Sequence, residues 1–155
     1  MKIVFLGGGA LALAGLIAAA APAGSAPLQT PAPAITLFAK LTAAAERPGP
    51  GDPKGSGSVV LHVEPAKDRV CYELSVQGVA VTMAHIHQAT AEDTGPPLAD
   101  LKPPGKDGKS SGCFEAGPVM LEGLTANPGA YYVNVHSAQH QGGALRGQLG
   151  SPSAP

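Results

Sequence analysis

The chain has 155 residues, a net charge of -1 and a charged fraction of only 14%. That is one domain's worth of protein, and the missing Lys/Arg block excludes a nucleic-acid binder or a protein drawn electrostatically to anionic membranes. With 21 Gly, 16 Pro, 4% aromatic residues and no Trp, long helices are excluded too. Short strands, many turns and a modest core of Val, Leu, Ile and Ala are expected instead.

Taken from the start, residues 1–23 read as a signal peptide. Lys2 supplies the positive end, residues 3–20 form an apolar run broken only by glycines, and Ala21-Pro22-Ala23 is a small-x-small cleavage site. An uncleaved anchor is the rival reading, although the run is barely long enough to span a bilayer. No Cys follows the run, which argues against lipid modification. Cleavage would leave residues 24–34, with Pro27, Pro31 and Pro33, as a flexible leader. It would also place the protein in the periplasm or outside the cell, without stable membrane insertion.

Residues 35–150 form the expected domain. In residues 35–41, Ile35, Leu37, Ala39 and Leu41 alternate with Thr36, Phe38 and Lys40, the period of a half-buried strand. A Pro/Gly-rich loop over residues 48–57 follows. Residues 59–64 and 70–76 repeat the alternation on either side of a turn at residues 65–68, with Cys71 opposite the aliphatic stripe of Val70, Tyr72, Leu74 and Val76. The strand over residues 79–87 carries His85 and His87. Residues 88–109 are a long excursion with one short strand at 98–101. Short strands are expected at 112–114 and 118–121, one helical turn within 121–129, and further strands at 131–137 and 144–149. Residues 151–155 read as a disordered tail. The pattern predicts an all-β, antiparallel Greek-key β-sandwich of seven to nine short strands, with little helix.

Two features carry chemistry. Cys71 and Cys113 are an even pair without Cys-x-x-Cys spacing. In an exported chain they read as a disulfide, the alternative being two buried thiols. Closing a loop of roughly 43 residues is worth about 4 kcal/mol by the chain-entropy argument. The second feature is His85-Ile86-His87. On a strand, residues i and i+2 share a face roughly 7 Å apart, whereas a helix would splay them by about 200°. His136, on the face of the late strand that also carries Tyr132 and Asn134, or else His62, supplies a third imidazole, and Tyr132 an oxygen donor. Three imidazoles suit copper or zinc. The competing reading has them fill polar seams and donate to carbonyls of the long loop.

Three ordered motifs resemble a known family. They are Leu41-Thr-Ala-Ala-Ala-Glu46, then Ala84-His-Ile-His87 with Gly95-Pro-Pro-Leu98, then Tyr132-Val-Asn-Val-His136 with Gly142-Gly-Ala-Leu-Arg-Gly-Gln-Leu149. Together they are similar to a CHRD domain, a module that also occurs singly in exported bacterial proteins. The resemblance implies a secreted, β-rich module and no particular chemistry. His-x-His, a third strand His and a late Arg are also similar to the copper-ligand pattern of copper-zinc superoxide dismutases. That similarity would make His85, His87 and His136 copper ligands and Arg146 an anion-steering charge. No histidine lies between His87 and His136, however, so the bridging and zinc ligands of those enzymes are missing. Glu46 and Arg146, in the first and last motifs, either pair across the closing edges or are separately solvated.

No nucleophile elbow, phosphate loop or paired nucleophile and base is present. The expected function is therefore an exported binding module whose partner is a metal ion or another extracytoplasmic ligand. The alternatives are a non-metal module contacting protein or glycan through the long loop, and a copper-dependent oxidoreductase.

Overall fold

Alternating apolar residues make the strands, and register makes the sheet. The computed structural model describes Thr30 and residues 32–151, so the signal-peptide, most of the leader and the C-terminal tail expectations lie outside the described residues. Among the described residues there are eight strands: β1 (Ile35–Thr42), β2 (Ser56–Glu64), β3 (Arg69–Gln77), β4 (Val81–Gln88), β5 (Pro97–Leu101), β6 (Lys109–Glu115), β7 (Tyr131–Ser137) and β8 (Leu145–Gln148). All neighbours run antiparallel, in the order β5-β4-β7-β8-β1-β2-β3-β6. The all-β expectation and the strand number both hold.

Hydrogen bonds join the strands into one nearly closed sheet. Every strand except β6 sends fully buried apolar residues into a single core, and Phe114 of β6 packs against it. The wrap is tightened where Lys102, just after β5, donates its amide to the Tyr72 hydroxyl on β3 at 2.8 Å. β1 to β3 follow the sequence closely, since Leu37, Ala39, Leu41, Val59, Leu61, Val63, Val70, Tyr72, Leu74 and Val76 all face inward. Burial of such aliphatic side chains, at about 1.5–3 kcal/mol each, is what drives the sheet to curl. Strand β2 begins at Ser56, inside the expected loop, because the hairpin with β3 extends to Ser56 opposite Gln77.

One expectation fails. Residues 118–121 are not a strand but the first turn of helix α1 (Pro118–Ala126). Pro118 sits at the start of the helix, where its missing N–H costs nothing and its fixed φ is already helical. Leu121 and Leu124, one turn apart, then reach the core together.

Cys71 and Cys113 lie directly opposite one another on β3 and β6 and form a disulfide. It fastens an edge strand to the sheet and closes the long excursion. No helix among the described residues is long and apolar enough to cross a membrane.

Candidate functional site

Strand β7 should alternate between core and solvent, yet all seven of its residues are buried. Tyr131, Val133 and Val135 face the core, while Tyr132, Asn134 and His136 lie on the outer face beneath two loops. On that face the register sets His85 opposite Asn134, His87 opposite Tyr132, and Asn134 opposite Arg146 of β8. Histidines far apart in the chain thereby become diagonal neighbours, within reach of one another across the ladder.

His85 Nδ1 stands 3.1 Å from His136 Nε2. One ring nitrogen from each of His85, His87 and His136 lies within 4.8 Å of the others. Two of the rings are tethered on their far sides. His87 Nδ1 donates to the Gly95 carbonyl at 2.8 Å, and His136 Nδ1 donates to the Gln141 carbonyl at 2.8 Å. His85 Nε2 faces the Asp100 carboxylate at 3.6 Å. A nitrogen that donates leaves the other with its lone pair. The tethers therefore put bare Nε2 atoms on His87 and His136, and His85 Nδ1–H donates to the His136 one. His87 Nε2 is buried and has no hydrogen-bond partner.

Charge follows burial. Burial pushes the His85 imidazolium below its ordinary pKa, with help from repulsion by His136 and His87, while Asp100 opposes the shift. His87 is pushed down by burial as well, against the pull of the Gly95 carbonyl and the Asn134 side chain. Both rings are thus neutral donors near pH 7.

The loop over the site is held from below by Arg146, which is only 1% exposed. Its guanidinium donates to the Asp93 carbonyl at 2.7 Å and the Thr90 carbonyl at 2.6 Å, and lies 3.5 Å over the Tyr132 ring. Gln148 adds a bond to the Ala89 carbonyl at 2.7 Å. The Tyr132 ring stacks on His87, with centroids 4.7 Å apart, and its hydroxyl accepts from the Gly95 amide at 3.3 Å. Gly95 is needed here, because a Cβ at that position would collide with the Gln88 carbonyl.

The expected site residues are therefore distributed unevenly. His85, His87 and His136 converge. Tyr132 is a platform whose hydroxyl engages the loop. His62 is exposed on β2, beside Thr36 Oγ1 at 3.2 Å and separated from β4 by β7, β8 and β1. Glu46 and Arg146 are both buried near His136 but form no ion pair within 4 Å; Arg146 spends its donors on loop carbonyls, and Glu46 accepts from the Arg47 amide at 3.1 Å. Burial raises the Glu46 pKa, and the nearby Arg146, His136 and Arg47 charges offset only part of the rise. Gly143, at φ +146°, passes so close that a Cβ would strike the Glu46 carboxyl.

The bond from His87 to Gly95 is the loop-carbonyl contact that the competing reading expected, although the sequence did not name which carbonyl, and Gln141 and Asp100 were missed. Gly95 and Gln141 act through backbone carbonyls, which have no side-chain signature. Asp100 becomes visible only when β5 pairs with β4 and sets it opposite His85.

The profile of the CHRD domain family matches residues 37–149, from the first core residue of β1 to the residue after β8. Neither a curated protein nor a solved structure matches the chain. The match covers most of the sequence and contains every residue of the histidine cluster and its supports, and on that ground the chain belongs to the CHRD domain family.

Proposed function

We propose that this CHRD-domain protein is an exported binding module that holds one copper or zinc ion between His85, His87 and His136. One observation carries the reading: three imidazoles on the outer face turn one nitrogen each toward a common point, while the far nitrogens of His87 and His136 are held by loop carbonyls. Metal-binding histidines have this outer-shell pattern, in which a carbonyl or carboxylate fixes the tautomer and aims the ring. In the metal-free protein His85 Nδ1–H donates to His136 Nε2 at 3.1 Å, and a cation bound there would take the place of that proton. On a tetrahedral ion with bonds of roughly 2.0–2.1 Å, ligand atoms sit about 3.3 Å apart. The His85–His136 pair already fits that edge, and modest side-chain rotation brings in the third ring. Export is supported by the signal-like N-terminus and by the disulfide, which persists best in an oxidising compartment.

The test is calorimetric titration of chelator-stripped protein with Zn(II) and Cu(II), beside His87→Ala. One equivalent taken up by wild type and none by the variant supports the site. No heat with either ion at micromolar protein removes it, leaving a module for a protein or glycan ligand. A redox assay on copper-loaded protein separates simple binding from oxidoreductase chemistry.

A further inference from the structure

The metal reading treats copper and zinc alike, but the surroundings of the cluster do not. Strand β4 carries Met83 two residues before His85, on the same outer face as both histidines, while Ala84 and Ile86 point to the core. After the irregularity near its start, the ladder is regular and sets Met83 directly opposite His136. Directly opposed residues on one face of an antiparallel pair have Cβ atoms about 4.5–5.5 Å apart. The thioether of a flexible, unbranched side chain therefore falls within reach of the nitrogen that His136 turns toward His85. Met83 is 45% exposed, so core packing does not hold its side chain, which is free to swing over the cluster from the solvent side.

We propose that the site is built for the cuprous ion and that Met83 is its fourth ligand, through sulfur. This inference rests on the metal site proposed above. Three features point the same way. The converging donors, three imidazoles and a thioether, are all neutral and include a soft sulfur, the type of ligand that selects Cu(I). Of the two carboxylates near the cluster, Asp100 faces the outward nitrogen of His85 and Glu46 is buried near His136, and neither is among the converging ligand atoms. The site is half-buried, and the buried guanidinium of Arg146 stacks on the same Tyr132 ring that covers His87. A fixed positive charge in a poorly solvated place penalises a dication about twice as heavily as a monocation. No anionic ligand is among the converging donors to compensate. Binding here transfers no electron: the ion enters and leaves as Cu(I), exchanging its ligands.

The experiment compares the exported, disulfide-intact chain with Met83→Leu. Cu(I) is supplied anaerobically with ascorbate as reductant, so that the disulfide survives, and affinity is read by competition with a chromogenic cuprous chelator. Zn(II) affinity is measured in parallel. X-ray absorption at the copper edge then counts sulfur scatterers, and the result is clean because no free cysteine is present.

Wild type is expected to bind Cu(I) with one sulfur in the first shell. Met83→Leu is expected to lose that sulfur and to weaken Cu(I) binding by about tenfold or more, the least that removing even an outer-shell partner costs, with Zn(II) affinity unchanged. Equal losses for both ions, or no loss for Cu(I), overturn the role of Met83. Wild type that takes Zn(II) or Cu(II) but not Cu(I) overturns this inference and leaves the metal site standing. Protein that takes none of the three overturns both. An unchanged melting temperature is expected for Met83→Leu, because the side chain packs against no core residue.

Discussion

Replacing Arg146 with lysine would keep the buried charge and remove the planar fork. The guanidinium now makes two charge-assisted bonds, to Asp93 and Thr90, and stacks on Tyr132. Bonds to a charged group are worth about 1.5–3 kcal/mol each, and the stack about 1 kcal/mol. Lysine can retain one carbonyl but cannot reach both or lie flat on the ring. Arg146→Lys should therefore cost about 2–4 kcal/mol, which lowers the melting temperature by roughly 10 °C for a domain of this size. The loss is local before it is global. Residues 89–96 lose their anchor, so their amides should exchange with solvent at least about tenfold faster than in wild type, while β1 to β3 are little changed. The Gly95 carbonyl moves with that loop, and metal affinity should fall by about 10–100-fold because His87 is no longer aimed. Thermal melting and hydrogen exchange read the two effects separately. A variant that melts within 2 °C of wild type by the first measurement, with unchanged exchange over the loop, would show that the arginine does not pin it.

Four further outcomes are expected. In metal-free protein, depressed His85 and His87 pKa values mean that their contribution to stability is complete above the unfolded value of 6.5 and is lost as pH falls through the folded values; melting should drop between pH 7.5 and 5, and His85→Gln, His87→Gln should flatten that slope. Glu46 has the opposite sign, since its raised pKa favours the folded state below 4.5 and costs stability as pH rises through the folded value, so Glu46→Gln should melt no lower than wild type at pH 7. Reducing Cys71–Cys113, or replacing both with serine, should cost about 4 kcal/mol from the loop of 42 residues it closes, seen as a lower denaturant midpoint; an unchanged midpoint would mean the edge strand does not need the bridge. Gly95→Ala should displace the loop from the Gln88 carbonyl and weaken Zn(II) uptake in calorimetry, with far-UV circular dichroism preserved; wild-type uptake would show that the loop's position does not matter to the site.

How far the sequence could be read depended on whether the signal was local. The two-residue alternation of β1, β2 and β3 was legible because each strand meets the core on one face and solvent on the other. The same rule placed His85 and His87 on one side of β4. It failed at residues 118–121, where a short apolar run has no period of its own and the packing of Leu121 and Leu124 decided for helix. It was silent on β7, whose outer face looks solvent-bound in sequence and is buried only because two distant loops fold over it.

Residue type and spacing by themselves settled an antiparallel β domain, a pair of histidines on one strand face, and motifs that mark the family. They put His136 ahead of His62 as the third imidazole without being able to show which strand meets β4. That choice belongs to strand order: β7 pairs with β4, whereas β2 lies on the far side of β1. Nor could spacing foresee that Arg146 would bond to the loop rather than to Glu46, because the acceptors are carbonyls that any sequence supplies. Alternation along a strand is a property of neighbouring residues, but which strands meet is set by how the whole sheet closes over its core, and the histidine cluster exists only at that level.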